Sequence, residues 1–446
     1  MSPRARKRPD LPSLLRAGKL DEFVRRAREM ESADLADVLS SLDEAERLAA
    51  VQALPPEISG EALVEMPEEA HAEDTLAALE PDKAADIVEE MADDDAADIL
   101  QELEPEEQAR ILSKVEREER ADVERLLSYD EESAGGLMTT RLVTVPDTAT
   151  AGEAIETIRR QAEEAEDFYQ VFVVDVDGAL RGVLPLRDLV TSPPTRPVRE
   201  FMEPADIFVT PERDQEEVAR LMARYNLPSV PVVDVAGRLL GRVTFDDVID
   251  VVEAETTEDL LKFGGVSPDE ELGARWTGAV RSRLPWLYVN LLTAFAAASV
   301  VLVFSNAIQE LKWLAVFMPV IAGMGGNSGT QALAVSVRRI ALGLVPAGQE
   351  MRIVGKEIVV GLVNGLAIAL VAGVVAALAV DLRFGGVVAL AMSGNLMMAG
   401  FAGAFVPLTL ERLRIDPAIA SSVFVTTFTD MCGFFLLLGM ATHFLL

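Results

Sequence analysis

Thiol and imidazole groups are nearly absent from this sequence. Its 446 residues include one cysteine, Cys432, and two histidines, His71 and His443. A single cysteine excludes an intrachain disulfide. Two widely separated histidines give no basis for a zinc or other transition-metal centre. The sequence also lacks a recognisable nucleophile–base pair and a Walker-type phosphate loop, so an enzyme is the least favoured class. No apolar signal peptide opens the chain, and the N-terminal half is expected to remain in the cytoplasm.

Positive charge is scarce as well. The formal net charge is −33. From residue 271 onward there are eleven Lys/Arg against eight acids, a local balance of +3, which leaves −36 on residues 1 to 270. Nucleic acid is a poor partner for such a surface and cations are natural ones. Only "PRARKR" near the start runs basic, and it reads as a solvated tail.

What is abundant is apolar sequence after residue 270. Stretches long enough to cross a bilayer, about 20 residues, occur near 285–308, 313–337, 354–380, 385–410 and 418–443. Arg275, Arg281 and Arg283 precede the first stretch. Arg338, Arg339, Arg352 and Lys356 lie between the second and third, and Arg412 and Arg414 between the fourth and fifth. The opposite connections carry only Lys312 and Arg383 as bases. The positive-inside rule then gives five spans with the N-terminus inside and the C-terminus outside.

The acidic half divides into two modules. In residues 1–130, Ile87, Ile99, Ile111 and Val123 recur every twelve residues, and Met91, Leu103, Val115 and Leu127 repeat the interval four positions later, on the same helical face. Segments such as "EPDKAADIVEEM" open with Glu-Pro, which suits a first helical turn. A small α-superhelix of stacked short helices follows. Its acid run at 93–95 is either a solvated face or a cation-binding one.

In residues 131–250, "VVDVDGALRGVLPLRDLV" corresponds to "VVDVAGRLLGRVTFDDVI" at an offset of 59. Each copy reads strand, Gly turn, strand, then a helix opening with an acid. The two copies, 131–198 and 199–250, resemble a tandem CBS-domain pair, a regulatory module that often holds an adenosine nucleotide. The resemblance implies Arg187, Asp188, Thr244 and Asp247 as nucleotide contacts, with ATP as a candidate ligand. An acidic helix over 245–270 then connects to the membrane region, with Asp247, Asp250, Glu255, Glu258 and Asp259 against Lys262 as the only base.

Two membrane stretches carry polar groups. "PVIAGMGGNSGTQAL" (319–333) sets Pro319 and four glycines beside Asn327, Ser328, Thr330 and Gln331. Such a segment either packs helices closely or breaks the helix beside a polar cavity. Asn395 and Asn364 are single polar positions in other spans. The fifth stretch holds Asp430 with Thr426, Thr427 and Thr429, and no base within a dozen residues. An intramembrane carboxylate is costly and usually faces a cavity or pathway. Oxygen ligands around one carboxylate suit hydrated Mg²⁺, which keeps several of its waters.

At this point the sequence resembles the MgtE family of magnesium channels and transporters. The marks are "SAGGLMT" (133–139), "GMGGNSGTQ" (323–331), "LRIDPAI" (413–419) and "TTFTDMCGF" (426–434), in a matching domain order. The resemblance implies an α-superhelical N domain, a CBS pair, a connecting helix and a five-helix membrane domain (271–446) that forms a pore on the axis of a homodimer in the plasma membrane. It implies Asp430 as the pore carboxylate, framed by the Thr426 carbonyl, with Gly325, Gly326, Asn327 and Asn395 lining the pore. It implies regulatory Mg²⁺ at Asp250, Glu255, Glu258, Asp259 and Asp416, and at Asp94, Asp95, Asp247 and the Gly136 carbonyl. Uptake of Mg²⁺, closed by intracellular Mg²⁺, is the expected function. Transport of Mn²⁺ or Co²⁺, or ion-coupled export, is the alternative.

Overall fold

The computed structural model describes residues 11–67, 70–161, 168–267, 276–346 and 348–446, with backbone alone for 417–422. The basic "PRARKR" stretch, Arg275 and the end of the expected connecting segment (268–270) lie outside the described residues. So do the side chains of Ser421 and Ser422. The chain separates into two compact units, Met1–Glu253 and Ala254–Leu446.

The first unit begins with short helices. Those at Pro81–Glu90, Asp93–Gln101, Pro105–Leu112 and Arg117–Leu126 start at intervals of twelve, which is the period of the apolar pattern. Pro56, Pro81 and Pro105 each occupy the first helical position, where a missing N–H costs nothing. Alternate helices pack on one another: Pro56–Val64 on Pro81–Glu90, and that on Pro105–Leu112, with Asp93–Gln101 on Arg117–Leu126. Ile87, Ile111, Val123, Met91, Leu103 and Val115 are buried, while Ile99 and Leu127 are partly so.

The repeat that follows forms two small sheets. One has the order β1 (Thr144–Pro146), β2 (Gln170–Val174), β3 (Leu180–Pro185), β4 (Glu203–Pro204), with β1 parallel to β2 and the rest antiparallel. The other is the antiparallel pair β5 (Ser229–Val233) and β6 (Leu239–Thr244). The offset of 59 is visible as hydrogen bonding between the copies. Leu180 N–H donates to Gly237 O and Leu239 N–H to Gly178 O, each at 3.0 Å. Gln170 Nε2 donates to Ser229 O and Oγ, both at 2.9 Å. Equivalent positions therefore meet at the junction of the two copies.

The connecting helix runs Phe245–Phe263. It ends as the Gly264-Gly265 pair requires. Gly265 has φ +73°, Gly265 N–H bonds Lys262 O at 3.0 Å, and Val266 N–H bonds Leu261 O at 3.0 Å. Glycine adopts this left-handed cap without the Cβ penalty other residues carry.

The second unit contains five long helices: Trp276–Val303, Trp313–Ala341, Glu350–Ala379, Leu382–Arg412 and Pro417–Phe444. Among the described residues four helices are long and apolar enough to cross a membrane, the last of them counted over Val423–Phe444. The helix left out of that set, Trp313–Ala341, has 29 residues. Its run of glycines and polar side chains at 323–331 dilutes its hydropathy without shortening it. The first span starts earlier than its apolar stretch, at Trp276, with Pro285 inside the helix.

Candidate functional site

The fifth long helix presents two faces. Val425, Thr429, Gly433, Leu437 and Ala441 are buried against the bundle. Thr426 is exposed and Asp430, one turn later, is half-buried, so the two share a face that the bundle leaves open. Thr429 Oγ donates to the Thr426 carbonyl at 2.9 Å, which fixes that hydroxyl inside the helix. Among the described residues no side chain bonds or ion-pairs with the Asp430 carboxylate.

The glycine-rich second helix is continuous across Pro319 and residues 323–331; close packing accounts for Gly325 and Gly329, whereas Gly323 and Gly326 meet nothing within 4 Å. Gly325 and Asn395, expected to line a pore, are instead enclosed between helices of this chain. Asn395 is fully buried and donates from Nδ2 to Ile321 O at 2.9 Å. A Cβ on Gly325 would lie 2.2 Å from that same Nδ2, so only glycine fits there. Gly326 has open space around its Cα, and Asn327 is exposed, on the opposite side of the helix. The expected foursome therefore divides: two residues pack the bundle and two face outward.

Glu357, in the third long helix, went unremarked in the sequence because it sits among Arg352 and Lys356. Its side chain is buried, with Lys356 Nζ 4.0 Å away. At the start of the fifth helix, Asp416 Oδ2 accepts from Lys262 Nζ at 2.7 Å, and the same ammonium pairs with Glu258. Burial opposes the Lys262 charge, but Asp416 and Glu258 outweigh it and its pKa rises. Glu255 and Asp259 are half-buried on the same helix.

In the first unit, a cavity of about 570 Å³ is lined by Glu65, Asp94, Asp95, Asp246, Asp247 and Asp250, together with Val64, Met66, Pro67, Ala92 and Thr244. Among the described residues six carboxylates line it and no Lys or Arg does. Burial, then the negative charges of Asp246 and Asp250, push the Asp247 carboxyl up, although the Thr244 hydroxyl and N–H donate to it. Burial, then Glu253 and Asp246, raise Asp250. Asp98, which the sequence reading passed over, is pushed up to about 7 by burial and by Glu131, Asp247 and Glu102. It follows Asp94 by one helical turn, and that i,i+4 spacing was the available signal.

Asp93 has a different task. Its carboxylate accepts from Thr139 Oγ at 2.6 Å, from Thr140 N–H at 2.9 Å and from the Thr140 hydroxyl. Gly136 does not line the acidic cavity. It is held tightly, since a Cβ there would lie 2.6 Å from Asp130 O and 2.7 Å from Glu131 O. Of the expected nucleotide contacts, Arg187 Nε bonds Asp188 Oδ1 at 3.0 Å, while Thr244 and Asp247 bond each other and line the acidic cavity. His71, Glu73 and Asp74 also converge, their ligand atoms within 4.8 Å of one another.

Sequence profiles match in the order the fold presents. The profile described as the MgtE intracellular N domain covers residues 30–132, CBS domains cover 134–193 and 198–254, and the MgtE profile described as a divalent cation transporter covers 318–440. The magnesium transporter MgtE of Thermus thermophilus is 38% identical over 326 residues, 72% of each chain. That of Enterococcus faecalis is 34% identical over 325 residues, 73% of this chain and 72% of its own. The chain belongs to the MgtE family of magnesium transporters. MgtE proteins are transporters and not enzymes. Two solved structures resemble the N-terminal portion with a TM-score of 0.52. One is the cytosolic domain of the Mg²⁺ channel MgtE in complex with ATP, 38% identical, covering 54% of this chain and 98% of that one. The other is the soluble part of a magnesium transporter, 32% identical, covering 56% of this chain and 97% of that one.

Proposed function

We propose that this MgtE protein is a homodimeric, Mg²⁺-selective channel for Mg²⁺ uptake across the plasma membrane, with its N-terminal domains in the cytoplasm, and that intracellular Mg²⁺ closes it. The observation that carries the reading is Asp430: a half-buried carboxylate without a side-chain partner among the described residues, on an open helix face with Thr426. A hydrated Mg²⁺, held through its waters, is the cargo that such an oxygen-only site suits. Two copies of the face, one from each protomer, would enclose it. Gly326 and Asn327 lie on outward positions that a dimer axis could use.

Closure draws on the acidic cavity and the connecting helix. At low Mg²⁺ the carboxylates of Asp94, Asp95, Asp247 and Asp250 repel one another. At high Mg²⁺ bridging ions favour the compact arrangement by mass action. Glu255, Glu258, Asp259 and Asp416 are the corresponding groups near the membrane unit. The domain limits that go with this reading are 1–130, 131–198, 199–250, 245–270 and 271–446. ATP in the CBS cleft is a second regulatory ligand, supported by the ATP complex of the related cytosolic domain. It would act only through a difference in affinity between the two states.

The test is Mg²⁺ flux into liposomes carrying the full-length protein, with Mg²⁺ on the cytoplasmic side varied. Uptake that falls as that Mg²⁺ rises, and that Asp430→Ala abolishes, is expected. Uptake by Asp430→Ala at the normal rate would remove the pore assignment. Flux that requires a sodium or proton gradient, or that prefers Mn²⁺ or Co²⁺, would favour the coupled or less selective transporter instead.

A further inference from the structure

One cavity of the membrane unit has the opposite character to the acidic one. It measures about 370 Å³ and is lined by Arg339, Leu344, Pro346, Gln349, Arg352, Ile353 and Lys356. Three cations converge there from the end of the second long helix and the start of the third, and among the described residues no carboxylate lines the cavity. Among the described residues neither Arg339 nor Arg352 has an acidic partner. Lys356 has only Glu357, at 4.0 Å. Three like charges sharing one concave space repel unless an anion joins them.

The position of the cavity limits what that anion is. Arg412, at the end of the fourth helix, pairs with Glu350 at the start of the third at 3.2 Å. Lys262 ties the end of the connecting helix to Asp416, which directly precedes the fifth helix. These links put the cavity at the end of the bundle that the connecting helix reaches. It also lies where helices leave the apolar span, with Leu344, Pro346 and Ile353 forming an apolar wall and Met351 exposed nearby. Cations beside an apolar wall at a helix boundary match a lipid phosphate with its acyl chains alongside.

We infer that Arg339, Arg352 and Lys356 form a binding site for the headgroup phosphate of an anionic phospholipid. Arginine suits the bidentate part of this contact, since its planar fork matches two phosphate oxygens, while Lys356 supplies a mobile point charge. Leu344 and Ile353 meet the upper acyl chain. A lipid seated here would brace the connection between the second and third helices.

The experiment measures thermal unfolding of the full-length protein in detergent while short-chain phosphatidylglycerol is titrated in. Short-chain phosphatidylcholine and inorganic phosphate are titrated separately. Phosphatidylglycerol is expected to raise the melting temperature saturably, and the other two are not. The triple variant Arg339→Gln, Arg352→Gln, Lys356→Gln should bind phosphatidylglycerol more weakly by about fivefold per charge removed. Arg338→Gln, at the same end but outside the cavity, should change it less than about twofold. If the triple variant does not fold, Lys356→Gln alone should still show its roughly fivefold loss. An unchanged phosphatidylglycerol response in the folded variant overturns the site. A response to inorganic phosphate equal to that of phosphatidylglycerol overturns the lipid as its occupant.

Discussion

Lys262 holds Asp416 by a 2.7 Å ammonium–carboxylate bond and pairs with Glu258 through the same nitrogen. The two acids that the family resemblance marks for a regulatory cation thus already share one, supplied by the chain. The contact joins the connecting helix to the start of the fifth membrane helix, so it favours the arrangement in which the two are together, with or without Mg²⁺. Lys262→Gln leaves two carboxylates facing each other and should raise Mg²⁺ flux at low cytoplasmic Mg²⁺ by about tenfold, since hydrogen bonds to charged groups are worth about 1.5 kcal/mol or more. High Mg²⁺ should still close the variant, because the vacated acids then bind the divalent ion. Flux identical to wild type at every Mg²⁺ concentration would show that the bond plays no part in gating.

The acids around Asp98 and Asp247 should make the protein's stability depend on pH in an unusual direction. Asp98 titrates near 7 in the folded chain but near the ordinary aspartate value when unfolded, so the folded state holds the extra proton between those limits. Stability therefore rises as pH falls from about 7 towards about 4, and it is lost as pH rises through 7. Asp247 and Asp250 are shifted in the same direction. Asp98→Asn removes a half-buried charge without removing its volume. Its melting temperature should exceed that of wild type at pH 8, converge with it near pH 5, and respond less to added Mg²⁺. A variant less stable than wild type at pH 8 would mean that the ionised Asp98 is satisfied in the fold.

Asp93 separates structural from regulatory acid within one run. It accepts from Thr139 and Thr140 and is 4% exposed, so Asp93→Ala removes the carboxylate that the buried Thr139 hydroxyl and the Thr140 N–H donate to. The expected loss is about 3 kcal/mol of stability, read by denaturant unfolding. The stabilisation that Mg²⁺ adds should stay close to its wild-type size. Asp94→Ala or Asp95→Ala, at the acidic cavity, should instead reduce the increment that Mg²⁺ adds.

The acidic run also shows where sequence reading stops. The twelve-residue apolar period located helix starts at 81, 93, 105 and 117 because packing of short helices leaves a direct imprint on burial. The offset of 59 was equally legible, and the junction bonds between positions 178–180 and 237–239 are its physical consequence. Side-chain partners leave no such imprint. Nothing in "DDD" says that the first acid caps a threonine pair 46 residues away while the second and third face a cavity. The same limit applied in the membrane unit. "GMGG" announces close approach or a polar path, and it took the facing residue, Asn395, to separate the packed Gly325 from the open Gly326.

That division gives the last prediction. Gly325 and Gly326 are adjacent and chemically identical, yet a methyl group on the first would collide with Asn395 Nδ2 at 2.2 Å while one on the second meets nothing within 4 Å in this chain. Asn395 cannot simply withdraw, because it is fully buried and its Nδ2 bonds Ile321 O. Gly325→Ala must therefore push two helices apart or break a buried hydrogen bond, a loss of about 2 kcal/mol or more. It should appear as a lower melting temperature and a reduced yield of monodisperse protein from detergent. Gly326→Ala should keep both at wild-type values. Should it instead fold normally and lower Mg²⁺ flux, Gly326 faces the ion path from the second protomer's side. Equal damage to stability from both substitutions would mean that Gly326 is packed against a partner subunit.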